Sequence, residues 1–395
     1  MSASVSALAP ARIANPPEAV QVPARIALLG TGTVGSAVLA RLAAWEGTPL
    51  GRRLSLACVA NSRIAVRAVG GGMRGDAADA PFARLLPSAA SWQACVAHPA
   101  LVDQALGDGA CRIVVDATAS EAVAERHPHW LAQGIHVVTA CKLGQGASLA
   151  RWRAIRGACT AGDARYGDSA TVGAGLPLLR SLRELQAGGD RLHAIAGVLS
   201  GSLAWLFHHY DGMRPFSALV RQAREAGYTE PDPRDDLSGE DVRRKLLILA
   251  RAGGAALDAG DVTVRSLVPP ALAALPADAV DAALPTLDAP LRTRFADAWK
   301  DGERLRFIAR LDLRGDAPLA RVGLEALPAD DPLAGGGGTD NRVAIWSDRY
   351  ARQPLVIQGP GAGAEVTAAA LLDDALRIAR ETQDGTPAGR ASASR

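Results

Sequence analysis

Lysine is almost missing from this sequence. Of its 43 lysine and arginine residues, only Lys142, Lys245 and Lys300 are lysines. Arginine stays protonated at physiological pH, whereas a partly buried lysine can lose its proton near neutrality. Because arginine fills basic positions almost by default, we identify Lys245 and Lys142 as candidates for proton transfer. Lys300 lies in the polar run WKDGER and is typical of a solvated surface residue.

Several other features are also missing, and each absence excludes a class of protein. The five cysteines are scattered, odd in number and without metal-ligand spacing, which indicates a reducing compartment, the cytoplasm. The seven histidines are dispersed and predict no metal cluster. A net charge of +2 gives no support for a nucleic acid or an acidic membrane as partner. No charge-free apolar run reaches about 18 residues, so no membrane span is predicted.

The length and the two ends predict a globular protein with loose termini. A chain of 395 residues, 48% hydrophobic and 21% charged, can form two or three domains. Residues 1–22 are rich in Ala, Pro and Ser and lack a basic start, which favours a disordered tail over a signal peptide. Residues 383–395 are also expected to be disordered.

A glycine-rich turn follows the first apolar strand. RIALL at 25–29 precedes GTGTVG at 30–35, and a helix is predicted after it. Gly30 suits the tight turn, Gly32 lets backbone approach a pyrophosphate, and Gly35 allows close helix–strand packing. The pattern favours a dinucleotide site, which would include Thr33 and Val34, over a purely structural glycine turn.

The second predicted strand, LSLACVA at 54–60, bears on the choice of dinucleotide. An NAD site usually has an acidic residue after this strand to bind the ribose hydroxyls, but no acid lies between Arg52 and Arg63. Arg63 can instead pair with the 2′-phosphate of NADP. The sequence therefore favours NADP as the cofactor, with NAD as the alternative. The alternative for Arg63 is a solvated loop residue without a role in binding.

Polar side chains follow the next two predicted strands. Thr118 and Ser120 come after RIVVD, and Lys142 ends IHVVTACK at 135–142. Ligands bind at the carboxyl ends of parallel strands, so all three residues are candidates for the cofactor crevice. Solvent exposure is the alternative for a strand-end lysine.

The stretch GYTEPDPRDDLSGEDVRRK at 227–245 is rich in carboxylates. Its prolines are expected to keep the first half out of a helix, and Ser238 to cap a helix that ends before Gly253. On this helix Lys245 lies at the edge of the apolar stripe, with Asp241 one turn before it on the same side. The alternative is an ordinary surface ion pair at i, i+4.

The remaining chain predicts a second, mixed domain. A glycine-rich turn such as the one that begins 169–182 can expose carbonyls that hold a hard cation, or can simply let two backbones pass close together. GPGAG at 359–363 can approach the cofactor. HAIAGVLSGSLAWLFHHY at 193–210 predicts a strand that runs into a helix, and 255–300 is Ala/Leu-rich and helical. Four further strands are predicted, at 305–313, 319–327, 342–346 and 354–358.

Taken together, these stretches resemble homoserine dehydrogenase. The motifs GTGTVGS, VVTACK, ATVGAGLPLL, GVLSGSL, AREAGYTEPDPRDDLSGEDVRRKLLILAR and GPGAGAEVTAA follow the family's order between about residues 24 and 382. The block at 224–251 is long and highly specific. The sequence is most similar to the dehydrogenase half of bifunctional aspartokinase–homoserine dehydrogenases, without the kinase domain.

The resemblance implies NAD(P)-dependent interconversion of L-aspartate 4-semialdehyde and L-homoserine, in threonine and methionine biosynthesis. It implies that Lys245 donates the proton to the aldehyde oxygen and that Lys142 lies near the nicotinamide. It further implies a homodimer, a small-molecule substrate and a bound Na⁺ or K⁺. The implied contacts are Glu230, Asp236 and Asp241 for substrate; Gly227, Gly361 and Gly363 for cofactor; and the carbonyls of Val172, Ala174 and Leu176 for the cation.

Two positions depart from the family pattern. Cys141 stands where the family usually has asparagine before the strand-end lysine, and a thiol cannot match the hydrogen bonds of an amide. Ser169 stands where the family often has an acid, with Asp168 beside it. The first departure bears on the orientation of Lys142, and the second on side-chain ligands for a cation.

These observations predict an α/β fold with a Rossmann-type nucleotide domain and an α+β catalytic and dimerisation domain. The expected boundaries are 23–165 for the nucleotide domain and 166–340 for the catalytic domain, with 341–382 completing the nucleotide domain. Two rival functions remain open from the sequence. One is another semialdehyde or imine reductase on this scaffold, and the other is a non-catalytic NADP-binding protein.

Overall fold

A computed structural model describes residues 22–69, 91–95 and 100–385, together with Arg84 and Leu86. The predicted tails, 1–22 and 383–395, lie outside the described residues except for residue 22 and residues 383–385. In the described part of the chain, no helix is long and apolar enough to cross a membrane.

The N-terminal half forms a seven-stranded sheet with helices on it. Its strand order is β4-β3-β2-β1-β5-β6-β7, and all pairs are parallel except β2–β3 and β3–β4. The strands are Ala24–Leu29 (β1), Leu54–Ala60 (β2), Ala65–Val69 (β3), Ser91–Cys95 (β4), Arg112–Asp116 (β5), His136–Thr139 (β6) and Tyr166–Gly167 (β7). The helices are Thr33–Ala44 (α1), Ala100–Leu106 (α2), Glu121–Ala132 (α3) and Leu149–Ala161 (α4).

The register of the central strands creates the ligand edge of this sheet. β1 lies between β2 and β5, so that Leu29 is beside both Ala60 and Asp116. β1 is covered on both faces, as its apolar sequence predicts for a central parallel strand. The Rossmann-type arrangement expected from the glycine motif is therefore confirmed, while β3 and β4 were not predicted.

The C-terminal half forms a six-stranded mixed sheet in the order β13-β12-β8-β10-β11-β9. Its strands are Leu192–Val198 (β8), Val262–Val264 (β9), Arg304–Asp312 (β10), Leu319–Leu327 (β11), Asp340–Ser347 (β12) and Leu355–Pro360 (β13). Its longer helices are Leu178–Ala187 (α5), Gly201–His209 (α6), Phe216–Glu225 (α7), Glu240–Ala252 (α9), Asp288–Lys300 (α12) and Ala364–Gln383 (α13). The short ones are Pro233–Leu237 (α8), Pro270–Ala273 (α10) and Val280–Ala283 (α11).

The largest apolar core lies between this sheet and its helices. Leucines of α5 and α9 pack with inward-facing residues of β8, β10 and β12, and Leu182, Leu246, Ile248 and Val343 are all fully buried. Burial of each such side chain stabilises the fold by roughly 1.5–3 kcal/mol. The core holds α9 rigidly, and α9 carries Asp241 and Lys245.

The C-terminal segment 341–382 is shared between the two sheets, whereas the prediction placed all of it in the nucleotide domain. β12 and β13 pair with each other, and β12 pairs with β8, so both strands belong to the six-stranded sheet. Only α13 returns to the first sheet, where its buried face packs with α1 and β1. Assigning all of 341–382 to the nucleotide domain is therefore wrong for its strands, because strand pairing is set by non-local contacts.

Local structure in the acidic stretch also differs from the prediction. Pro233 does not prevent a helix but begins α8, because Asp232 accepts the backbone N–H of Arg234 at 3.0 Å and proline suits the first helical position. Ser238 ends α8, and its hydroxyl oxygen also accepts the N–H of Glu240, the first residue of α9, at 3.2 Å. Gly239, with φ of +79°, makes the turn into α9.

The Ala/Leu-rich segment at 255–300 is not one helical run. It contains β9, the four-residue helices α10 and α11, several 3₁₀ turns and the longer α12. Prolines lie at the start of α10 and within the 3₁₀ turn that precedes α12. Proline restricts the residue before it and removes a backbone donor, which explains the repeated interruptions.

Candidate active site

The centre of the site is the carboxylate of Asp241, which holds two lysines. Lys245 follows it by one turn of α9, and Lys245 Nζ lies 2.8 Å from Asp241 Oδ2. Lys142, from the loop after β6, places its Nζ 3.3 Å from Asp241 Oδ1. The two lysines selected by their rarity are thus brought together, one from each half of the chain.

Lys245 is enclosed far more than a surface lysine. Its side chain is only 11% exposed, against 74% for Lys300. Its Nζ also donates to the carbonyl oxygen of Leu199 at 2.7 Å, in the turn between β8 and α6. Lys245, at the edge of the apolar stripe of α9, therefore faces inward. The Lys245–Asp241 pair is not an ordinary ion pair on the protein surface.

The charges around Asp241 shift the proton affinities of the site. Burial lowers the pKa of Lys245, Asp241 opposes that shift, and Lys142 adds to it. Burial by itself would raise the pKa of Asp241, but Lys245 and Lys142 outweigh it and lower the pKa to about 2. Asp241 therefore stays ionised, while Lys245 can release its proton more readily than a free lysine.

Asp236 organises the loop beside this pair. Its Oδ1 accepts from Ser202 Oγ at 2.5 Å, and its Oδ2 accepts from the backbone N–H of Glu230 at 2.8 Å. Burial raises the pKa of Asp236, although both hydrogen bonds oppose the shift. Ser200 Oγ lies 2.8 Å from Ser202 Oγ and caps α6. The serines were not predicted as site residues, although they lie in the motif GVLSGSL.

Glu230 presents its carboxylate to solvent near this loop. The residue is exposed, and among the described residues no ion pair involves it. Gly227 is also exposed and has a φ of +73°, which an L-residue adopts at a cost. The structure thus leaves the Glu230 carboxylate available to a ligand amine.

Two glycines of the first turn are packed against neighbouring backbone, and the third lies beside open space. A Cβ at Gly30 would lie 2.8 Å from the carbonyl oxygen of Ala117, and one at Gly35 would overlap the carbonyl oxygen of Gly30. At Gly32, by contrast, no described residue other than its chain neighbours comes within 4 Å of the space a Cβ would occupy. Gly32 caps α1, which begins at Thr33 and continues through Val34. The helix N-terminus beside open space suits a pyrophosphate.

Arg63 lies on the loop after β2, where a ribose would be recognised. Asn61 shapes this loop, because its Oδ1 accepts the N–H groups of Arg63 and Ile64, each at 2.8 Å. The Arg63 side chain is exposed and takes part in no ion pair among residues 22–69, 91–95 and 100–385. It is therefore available to an anionic group of a bound cofactor.

Thr118 and Ser120 have structural partners at the end of β5. The Thr118 hydroxyl donates to Asp116 Oδ1 at 2.6 Å, and Ser120 caps α3 by accepting the N–H of Val123 at 3.4 Å. These bonds shape the crevice edge. Contact of Thr118 and Ser120 with a cofactor is a proposal.

The C-terminal glycine turn is packed against β12. A Cβ at Gly361 would overlap the side chain of Asn341, which is buried. Gly363, with φ of +127°, caps α13. Glycine is therefore required at both positions for structural reasons, whatever else the turn contacts.

The proposed cation turn offers carbonyls without a free carboxylate beside it. Asp168 forms a two-bond pair with Arg183, at 2.7 and 2.6 Å, and Ser169 binds Asp374 through its N–H and hydroxyl. Ala174 has an uncommon φ of +51°, so the turn at Val172, Ala174 and Leu176 is backbone-strained. Across the described residues no His, Cys, Asp and Glu side chains group as a metal site. A hard cation would depend on backbone oxygens.

Cys141 is buried where the family usually has an amide. Burial raises its pKa to about 11, even though the backbone N–H groups of Leu143 and Gly144 reach its sulfur. Such a thiol is inert rather than nucleophilic. The sulfur is contacted by the backbone of the loop that carries Lys142.

Comparison with known families agrees with this geometry. A family model described as homoserine dehydrogenase matches residues 177–376. A second, described as the NAD-binding domain of homoserine dehydrogenase, matches residues 30–166. Together they cover both sheets apart from β1 and the last residue of β7.

Curated relatives include one- and two-function enzymes. Bifunctional aspartokinase/homoserine dehydrogenase 2 of Zea mays is 44% identical over 68% of this chain and 29% of its own length. The chain thus spans under a third of that relative. Homoserine dehydrogenase of Emericella nidulans is 39% identical over 67% of this chain and 75% of its own length.

Solved structures share the fold over nearly the whole chain. A Candida auris protein of unknown function superposes with a TM-score of 0.79 at 33% identity, covering 91% of this chain and 98% of that one. A homoserine dehydrogenase from Thiobacillus denitrificans gives 0.69 at 26% identity, covering 93% and 75%. A hyperthermophilic archaeal homoserine dehydrogenase bound to NADPH, at 19% identity, shows the fold alone, with a TM-score of 0.66 over 92% and 99%.

Proposed function

Because the chain belongs to the homoserine dehydrogenase family, we propose that it interconverts L-aspartate 4-semialdehyde and L-homoserine. The observation that carries the proposal is Asp241 holding the enclosed Lys245 and the strand-end Lys142. Threonine and methionine biosynthesis is the pathway this reaction serves.

Lys245 is proposed as the group that moves the proton. Reduction of an aldehyde develops negative charge on its oxygen, and a nearby ammonium stabilises that charge and delivers a proton. NAD(P)H, when bound, supplies the hydride. In the reverse direction the neutral Lys245 amine takes the hydroxyl proton. The lowered pKa of Lys245 favours that half of the cycle.

The carboxylates are proposed to hold a zwitterionic substrate. Glu230 is the exposed carboxylate for the substrate ammonium, and Asp236 fixes the Glu230 backbone. Asp241 binds near the hydroxyl end while orienting both lysines. Lys142 would lie beside the reacting carbonyl and the nicotinamide.

The finer assignments are also proposals. NADP is favoured over NAD because Arg63 is free and no acid follows β2. The cofactor contacts are proposed at Gly30, Gly32, Thr33, Val34, Gly35, Arg63, Thr118, Ser120, Lys142, Gly227, Gly361 and Gly363. We also propose a homodimer and a Na⁺ or K⁺ on the carbonyls of Val172, Ala174 and Leu176. Both proposals are supported by the resemblance to the homoserine dehydrogenase family. A cytoplasmic location rests on the free cysteines of the described chain.

Homoserine-dependent reduction of NADP and NAD by the purified protein tests the proposal. We expect turnover with homoserine, and a higher kcat/KM with NADP. Turnover of a different aldehyde or imine, with none on aspartate semialdehyde, would favour another reductase. Cofactor binding with no turnover of any aldehyde would favour a non-catalytic protein.

A further inference from the structure

A buried chain of hydrogen bonds lies beneath the loop that carries Lys142. Asp116 ends β5 and His127 lies in α3; both are fully buried, and Asp116 Oδ2 is 3.0 Å from His127 Nε2. On the other side of the ring, Nδ1 is 2.9 Å from the Tyr166 hydroxyl. With Nε2–H donating to the carboxylate, Nδ1 accepts the O–H of Tyr166, so all three groups are paired.

One end of this chain reaches the loop through Thr139. The Thr139 hydroxyl donates to Asp116 Oδ2 at 3.1 Å and accepts the backbone N–H of Cys141 at 2.8 Å. Cys141 immediately precedes Lys142. The buried carboxylate is therefore two hydrogen bonds away from the backbone of the residue next to the lysine.

The other end reaches the loop through Gly144, which is buried two residues after Lys142. A Cβ at Gly144 would overlap the Tyr166 hydroxyl oxygen and lie 3.2 Å from His127 Nδ1. Gly144 does not have a positive φ, so contact, not backbone conformation, requires glycine there. The Tyr166 hydroxyl thus limits how closely the loop backbone at Gly144 can pack against α3 and β7.

We propose that Asp116, His127 and Tyr166 form a positioning network that seats the loop at 141–144 and fixes Lys142 beside Asp241. The network rests on the proposed dehydrogenase function, and its members act through the loop without touching substrate. The same loop includes Cys141, whose sulfur is buried and is reached by the backbone N–H groups of Leu143 and Gly144.

Two single variants test the contact between the network and the loop, one on each side of it. Gly144→Ala must displace the loop or the ring by about 1 Å, which is expected to lower kcat for homoserine by about 10- to 100-fold. Tyr166→Phe leaves His127 Nδ1 without its donor and is expected to lower kcat by roughly threefold to tenfold. The KM for NADP should change less than kcat in both, because the Gly30–Gly35 turn is untouched.

The double variant supplies the readout that a general loss of stability would not give. In Gly144→Ala/Tyr166→Phe the overlap with the hydroxyl oxygen is gone, and the new methyl would meet the ring carbon Cζ at 3.5 Å and His127 Nδ1 at 3.2 Å. We therefore expect the double variant to have a higher kcat than Gly144→Ala alone, approaching that of Tyr166→Phe. Gly157→Ala is the matched control, because outside α4 itself no described atom lies within 4 Å of the Cβ position, and its kcat should equal the wild type.

Each outcome decides the matter. A wild-type kcat in Gly144→Ala, or no recovery in the double variant, would overturn the network while leaving the proposed function intact. Wild-type protein without homoserine turnover would overturn both. If Gly144→Ala does not fold, as judged by circular dichroism and Tm, Tyr166→Phe decides: an unchanged kcat with a folded protein rejects the network.

Discussion

At the scale of single residues, one carboxylate sets the behaviour of two lysines. Asp241 lies 2.8 Å from Lys245 Nζ and 3.3 Å from Lys142 Nζ, and it keeps its own charge with a pKa of about 2. It raises the pKa of Lys245, whereas burial and Lys142 lower it. The proton affinity of the proposed acid is thus a balance between these neighbours.

Asp241→Asn should move the pH profile in a defined direction. Without the carboxylate, burial and Lys142 act unopposed, so the pKa of Lys245 falls further. Reduction needs the ammonium, so the alkaline limb of kcat for aspartate semialdehyde is expected to move to lower pH. Lys142→Met should move the same limb to higher pH. Steady-state rates measured from pH 6 to 10 check both directions, and equal shifts in the two variants would contradict the assignment.

Arg63→Ala should separate the two cofactors. If the guanidinium pairs with a 2′-phosphate, its loss is expected to raise the KM for NADP by about tenfold or more, in the range of a charged hydrogen bond. NAD lacks the phosphate, so its KM should change less than about twofold, which provides an internal control. Parallel changes for both cofactors would reject this role of Arg63.

At the scale of elements, the site depends on how α9 begins. Gly239 joins α8 to α9 with a φ of +79°, and a Cβ there would lie 2.9 Å from the ring of Phe307 on β10. This turn could not be read from the sequence, where Ser238 looked like a helix cap. Capping residues are recognised locally, but the choice between two short helices and one depends on packing against β10.

Gly239→Ala should therefore destabilise the fold for two reasons. Gly302 has a similar φ of +72°, but a Cβ there would meet no atom of the described residues within 4 Å beyond its chain neighbours. Gly302→Ala therefore isolates the backbone cost of about 1–2 kcal/mol. Gly239→Ala adds the collision with Phe307 and should cost about 1–3 kcal/mol more. Urea unfolding measures the free energy of unfolding of each variant, and an equal loss in both would show that the ring contact is unimportant.

At the scale of the whole molecule, the site forms where the two sheets meet. Lys142 follows a strand of the first sheet, whereas Lys245 and Asp241 are fixed by the core of the second. The glycine turn, the strand ends and the rare lysines could be predicted, because each carries a local pattern. The placement of β12 and β13, the serines around Asp236, and the Asp168–Arg183 pair could not, because they depend on contacts distant in sequence.

Cofactor binding should stabilise the whole chain, because α13 ties the second sheet back to the first. At a concentration of 100 times its Kd, NADP is expected to add about 2.7 kcal/mol and to raise Tm by several degrees. Differential scanning fluorimetry measures the shift. The absence of any shift at saturating NADP would contradict the cofactor site.

The most direct test of the central claim is the kcat of Lys245→Arg for homoserine, beside Lys300→Arg as a matched control. Arginine keeps the charge but does not give up its proton near neutrality. We expect kcat to fall by about 10² or more in Lys245→Arg, in the range that general acid–base catalysis supplies, and to stay unchanged in Lys300→Arg. A near-normal kcat in folded Lys245→Arg would contradict the account.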